Sequence, residues 1–281
     1  MLIGAARTPH GPSFLRWAGS KRQSIARLRA AAPPEIPHYV EPFAGSASLF
    51  FALRPVKATL GDLNGLLIST LKVVRERPAV VYELLSAIPR SKEDYYLARE
   101  ELNRSEEFTD RTAALFIYLN RNCFNGLWRT NKSGRFNVPY GGNAIGNYPP
   151  LSLFSGCSAA LRSAELLNTD FRQTLDRDFP SQTFIYADPP YFTSTERTFV
   201  EYGQKSFGAK DLGDLVDLLV EASRKGAKVA LSYSASMPVE GIPSDWRRSR
   251  IDITRNVGGF SGSRKVYGEI LYLSDGEREE L

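Results

Sequence analysis

The chain carries only two cysteines and two histidines in 281 residues, and that scarcity removes whole classes of chemistry. Cys123 and Cys157 stand alone without metal-ligand spacing, which argues against a disulfide framework or a zinc site and for a reducing compartment. His10 and His38 leave few candidates for a serine–histidine nucleophile pair. No uninterrupted apolar stretch approaches the roughly 20 residues of a membrane span, and Met1 to Arg16 holds no signal-peptide apolar region. A cytoplasmic location without membrane attachment is therefore expected. Repeats and low-complexity linkers are absent too. The length suits one large α/β domain, or a core with a smaller insertion, and needs no covalent staples.

What is present begins with charge. The formal net charge of +5 fits a polyanion partner without specifying one. Its distribution says more: Arg121, Arg129, Lys132 and Arg135 fall in one stretch that also holds Phe124, Trp128 and Phe136. Cations suit phosphates, guanidinium forks suit guanine edges, and rings suit stacking or wedging. A solvated hairpin with a few packed rings accounts for the same pattern.

Apolar periodicity gives the framework. Strand, glycine turn, helix and strand follow one another as His38–Glu41, Pro42–Gly45, Ser46–Leu53 and Val56–Leu60, the start of a βαβ unit. Asp62 follows the second strand, where an acid bonds ribose hydroxyls in nucleoside-binding α/β folds; capping the next helix is the alternative. Helices are expected over Leu66–Arg75, Pro78–Ile88, Lys92–Asn103 and Asp110–Leu119. The Gly- and Asn-rich stretch 120–147 follows, with a hairpin tip at Lys132-Ser133-Gly134. The α/β alternation then resumes: helix Leu151–Ala164, strands Glu165–Asn168 and Phe184–Ala187, helix Lys210–Lys225, and strands Lys228–Ser232, Arg248–Ile253 and Val266–Leu273. Segments 1–65 and 148–281 thus read as one α/β domain with a sheet of six or seven strands, and 66–147 as an inserted, mostly helical subdomain carrying a β-hairpin. Phe43, Gly45, Asp62, Asp170 and Asp188 all fall just after expected strands, along the rim where open α/β sheets bind ligands. On that argument none of these acids is merely a cap.

Asp188-Pro189-Pro190-Tyr191, directly after the apolar run Phe184–Ala187, is the most specific motif. Two prolines cannot continue a central strand, so a proline-rich turn is the plain reading. The chemical reading is a grip on an exocyclic amino group. An aromatic amine such as adenine N6 is a poor nucleophile because its lone pair is drawn into the ring. The Asp188 carboxylate and the Pro189 carbonyl could each accept one of its hydrogens, freeing the lone pair to attack an electrophilic methyl. Tyr191 would supply a stacking face for the base.

These residues together resemble the Dam-type (D12 class, alpha group) DNA adenine N6-methyltransferases. The resemblance covers most of the chain: Phe14 to Lys21, Glu41-Pro42-Phe43-Ala44-Gly45, Leu119 to Arg129 continuing through Gly134 to Pro139, the tetrapeptide, and a weaker signature of Arg255, Arg264, Lys265 and Glu269. It implies a Rossmann-like, class I methyltransferase sheet with an inserted target-recognition subdomain, S-adenosylmethionine as cofactor, and no metal. Trp17, Lys21, Asp62 and Asp188 would contact the cofactor, with Phe43 and Gly45 forming its turn and Asp170-Phe171 near its adenine ring. Arg121, Phe124, Asn125, Leu127, Arg129, Arg135 and Pro139 would meet double-stranded DNA. Within that group Arg129 would read a guanine and Phe124 or Leu127 would wedge near the target pair. Pro139 would touch a neighbouring base, in a short palindrome such as GATC. The loop Phe192–Phe207, with Thr195, Phe199 and Tyr202, would either order over a flipped base or serve as a mobile surface connection. The implied protein is a bacterial or phage-encoded, site-specific DNA-methyltransferase (adenine-specific), monomeric, with a cognate restriction endonuclease as a possible partner. RNA methylation, cytosine-N4 methylation and a catalytically inactive DNA-binding relative are the alternatives. Two positions depart from the family pattern: Gly19-Ser20-Lys21 replaces a double glycine, and Ala47 stands where a second glycine is sometimes found.

Overall fold

The computed structural model describes residues 13–17, 21, 24–142, 145, 147–191, 207–256 and 264–274, with 252–256 and 264–267 as backbone only. Residues 192–206, with Thr195, Phe199 and Tyr202, lie outside the described residues, as do Gly19 and Ser20 and the side chains of Arg255, Arg264 and Lys265.

Among the described residues one seven-stranded sheet runs in the order β3-β2-β1-β4-β5-β7-β6. The strands β1 (His38–Glu41), β2 (Lys57–Asp62), β3 (Ala164–Asn168), β4 (Phe184–Ala187) and β5 (Lys228–Ser234) are parallel. The last two, β6 (Arg247–Asn256) and β7 (Arg264–Leu273), form an antiparallel edge, with β7 against β5. This is the Rossmann-like α/β sheet that was expected. Phe184-Ile185-Tyr186-Ala187 is buried throughout, as a parallel strand covered on both faces must be. Strand order reverses between β1 and β4, so a crevice opens beyond their carboxyl ends.

Local signals set the helices. Asn64 caps α3 (Gly65–Glu76) by accepting from Leu67 N–H, Pro78 opens α4 (Pro78–Ser86), Ser91 caps α5 (Lys92–Arg104), and Thr109 with Thr112 forms a capping box on α6 (Asp110–Asn122). The expected elements match to within a few residues. Two short helices were not expected: α1 (Ile25–Ala31) and α8 (Phe171–Leu175). The remaining helices are α2 (Ser48–Leu53), α7 (Leu151–Leu161) and α9 (Ala209–Arg224). No helix among the described residues is long and apolar enough to cross a membrane.

Two apolar cores lie on the two faces of the sheet. One joins Val40, Ile185 and Leu231 to Leu215 and Leu219 of α9; the other joins Tyr39, Ala58 and Leu60 to α2, α3, α4, α6 and α7. The expected boundary at residue 66 falls inside α3, which packs on β2 and β3 as a crossover helix. Helices α3 to α6 therefore extend the sheet's own core and have no separate one. From Thr112 to Asn122 every residue of α6 is buried. A helix buried all round must find internal partners for its polar side chains, and Asn120, Arg121 and Asn122 at its end are where this matters.

Candidate active site and nucleic-acid interface

At the end of β1 the chain turns through Gly45, whose φ of +46° favours glycine. A Cβ here would come within 2.9 Å of the Trp17 ring, so Trp17 lies directly on the turn. The Gly45 N–H donates to Asp62 Oδ2 at 2.9 Å, and Asn64 N–H donates to Asp62 Oδ1 at 2.8 Å. Asp62 is half-buried, and the helix cap is Asn64, which frees Asp62 from that alternative role. Burial raises the Asp62 pKa, and the two backbone donors oppose that rise. Ala47, with φ +49°, adopts the left-handed conformation that a glycine would take without cost. Its Cβ thus acts on the backbone of the turn. Phe43 packs on Phe171 at 5.3 Å and on Phe207 at 5.9 Å between ring centroids, forming an aromatic wall beside the turn.

Asp170 corrects the expectation that no acid on this rim is a cap. It is the N-cap of α8, accepting from Arg172 N–H at 2.9 Å, and it pairs with the Arg172 guanidinium at 3.1 Å. The same guanidinium ties α8 to α9 through Asp211 at 2.6 Å and Asp214 at 2.7 Å. Phe171 is buried and reaches the site through Phe43.

The tetrapeptide follows β4 into the crevice. Asp188 keeps a side-chain exposure of 20% and forms an ion pair with Lys21, Nζ to Oδ1 2.9 Å. Lys21 Nζ also lies 2.9 Å from Glu269 on β7 and donates to the Tyr191 hydroxyl at 2.9 Å. An ammonium has three N–H donors, so all three point at protein atoms here. Lys21, expected to meet a cofactor carboxylate, is held by the tetrapeptide in this structure. Pro189 is buried, Pro190 is half-buried, and the Tyr191 ring stands edge-on to Tyr233 at 5.1 Å. Burial, then the Asp188 charge, raises the Tyr191 pKa, keeping the phenol neutral.

Sequence reasoning gave Glu41 no role. It ends β1 between Asp62 and Asp188, is buried, and its Oε2 has no hydrogen-bond partner among the described residues. Burial drives its pKa well up, with the Asp188 and Asp62 charges adding to the rise. The available signal was an acid placed directly before Pro42-Phe43-x-Gly45.

The hairpin is held by isolated bridges, Thr130 to Phe136 and Cys123 to Tyr140. Trp128 is buried between Phe116 at 4.1 Å and Phe136 at 4.4 Å, so it and Phe136 anchor the hairpin in the core. Asn103 brackets Phe136 by bonding both its N–H and its C=O. At the tip, Asn131 Oδ1 accepts from Ser133 N–H and Arg135 N–H. Phe124, Asn125, Arg135 and Pro139 are exposed and Leu127 is half-buried. Arg129 is also half-buried, with its Nε bonded to Asn137 Oδ1 at 2.9 Å. Arg121 departs from expectation. It is 4% exposed and donates to Asn147 O at 2.7 Å and to Phe14 O, a structural brace instead of a phosphate contact. Burial raises the Cys123 thiol to about 12, consistent with a packing role at the hairpin base. Among the described residues no His, Cys, Asp and Glu cluster could hold a metal ion.

The family model for D12 class N6 adenine-specific DNA methyltransferases matches residues 17–257. The type II methyltransferase M1.LlaDCHI of Lactococcus lactis subsp. cremoris is 32% identical over 94% of this chain and 95% of its own length. A DNA adenine methylase of Vibrio cholerae is 33% identical over 93% and 95%, and that of Escherichia coli K12 is 29% identical over 93% and 94%. The chain belongs to the D12 class N6 adenine-specific DNA methyltransferases.

Proposed function

We propose that the protein transfers a methyl group from S-adenosylmethionine to N6 of an adenine flipped out of duplex DNA, within a short palindrome such as GATC. Family membership implies a donor of the S-adenosylmethionine type and DNA as substrate. The observation that carries the finer reading is Asp188 at the strand-order reversal, its carboxylate held at 2.9 Å by Lys21 beside the glycine turn and Asp62.

The residues fit the cofactor. Gly45 leaves room that a Cβ would fill against Trp17, and Trp17 and Phe43 give apolar walls. Asp62 is fixed by two backbone donors and retains acceptor capacity for two ribose hydroxyls. An ammonium group beside Glu41 would lower its raised pKa and draw the carboxyl to its charged form. When bound, the cofactor supplies a methyl already activated on a sulfonium. The protein's part is orientation: Asp188 and the Pro189 carbonyl accept the two N6 hydrogens, and Tyr191 offers its ring to the base. Phe124 or Leu127 wedges near the target pair, Arg129 reads guanine with a fork steadied by Asn137, and Arg135 meets phosphate. Functionally, segment 66–147 reads DNA while 1–65 and 148–281 hold the cofactor and the acceptor. The working form is a cytoplasmic, DNA-associated monomer. A restriction partner accords with the type II methyltransferase among its relatives.

The test is incubation of purified protein and cofactor with plasmid DNA and, separately, with structured RNA, followed by nucleoside mass spectrometry. N6-methyladenine in DNA alone is expected. N4-methylcytosine, or modification of RNA alone, would overturn the proposal.

A further inference from the structure

Glu269 is a buried carboxylate on β7, opposite Ser234 of β5 and 248 residues from Lys21 in the sequence. It accepts a hydrogen bond from the Tyr191 hydroxyl, and its Oε1 and Oε2 both lie 2.9 Å from the ammonium that pairs with Asp188 and bonds Tyr191. One cation therefore serves two carboxylates and a phenol in a buried space, with Lys21 itself 6% exposed. That division has a chemical consequence. Asp188 can accept an N6 hydrogen strongly only if its negative charge is not consumed by a full ion pair. With Glu269 drawing on the same ammonium, Asp188 carries half of a shared cation. Without that charge Lys21 would pair with Asp188 alone, and the hydroxyl that fixes Tyr191 against Tyr233 would lose a partner.

We propose that Glu269 is a positioning residue for methyl transfer. It shares the Lys21 ammonium with Asp188 and, together with Lys21, sets the orientation of Tyr191. The inference rests on reading Asp188 as the acceptor of the adenine amino group. Failure of that reading is separately visible, as absence of N6-methyladenine from DNA treated with the unmodified protein.

The decisive variant is Glu269→Gln, which keeps shape and an acceptor atom and removes only the charge. In the full chain, kcat is expected to fall about 30-fold while KM for cofactor and for DNA stays within about threefold, the pattern of an interaction used in the transition state. Fluorescence of 2-aminopurine at the target position should also change on binding, since Tyr191 no longer presents the same face. A folded Glu269→Gln variant with wild-type kcat would overturn the proposal, as would one whose only defect is a raised cofactor KM. Should the single variant lose folded structure, the Lys21→Gln/Glu269→Gln pair carries the test, because both buried charges leave together. If Glu269 and Lys21 act as one unit on Asp188 and Tyr191, the pair is no slower than Lys21→Gln alone; an additional loss of tenfold or so would contradict it.

Discussion

The sheet rim and the hairpin use similar side chains in opposite ways. At the rim, polar groups far apart in sequence are bonded to one another: Gly45 with Asp62, and Lys21 with Asp188, Glu269 and Tyr191. At the hairpin, buried Trp128 and Phe136 anchor a surface whose Phe124, Asn125, Arg135 and Pro139 face outward. Reaction geometry requires groups fixed by their neighbours, whereas a surface that meets DNA must keep its donors and rings available. The difference predicts that changes at the rim alter rate with little effect on DNA affinity, and that changes at the hairpin do the reverse.

The largest effect expected is from Asp188→Ala, which should lower single-turnover methylation by about 10³-fold. DNA binding, measured by fluorescence anisotropy, should stay within about threefold of wild type. A comparable loss of DNA affinity would erase the division between the two regions.

Two arginines sharpen it from the other side. Arg121→Ala removes charge-assisted bonds to Asn147 O and Phe14 O and should cost about 3 kcal/mol of stability by denaturant melts, leaving the salt dependence of DNA binding unchanged. Arg135→Ala should leave stability near wild type and reduce the slope of log K against log salt by about one. These arginines also mark what sequence could and could not convey. The α/β elements, the glycine turn and the Asp-Pro-Pro-Tyr motif were readable because each is written in neighbouring residues: apolar periodicity, a left-handed turn, prolines that stop a strand. The fate of Arg121 depends on carbonyls 107 residues before it and 26 after. The Lys21–Glu269 contact spans 248 residues. Asp170 looked like a rim acid because the five-residue helix it caps is too short to show a periodic pattern.

Within the rim, the glycine turn offers a paired test. Gly45→Ala places a Cβ against Trp17 at a positive φ and should raise the cofactor KM about tenfold with DNA affinity preserved. Ala47→Gly relieves a left-handed alanine and should add about 1 kcal/mol of stability by the same denaturant melts.

A further effect concerns pH. The Glu41 pKa is raised in the folded state, so the native protein binds an extra proton between the ordinary carboxylate range and that raised value. Its contribution to stability falls as pH climbs through this window. Glu41→Gln removes the contribution, so its stability relative to wild type should rise as pH climbs above the ordinary carboxylate range in denaturant melts. A pH-independent difference would show that Glu41 does not titrate as its burial demands.

The division of labour is tested most directly by mapping every methylated adenine in plasmid DNA treated with wild type or with Arg129→Ala. Wild type is expected to modify one short sequence. Arg129→Ala should still produce N6-methyladenine, with discrimination at one base pair weakened by about 10- to 100-fold, the value of one bidentate guanine contact. If Arg129→Ala leaves the map unchanged, or if it abolishes methylation in every sequence context, reading and chemistry are not divided between hairpin and rim.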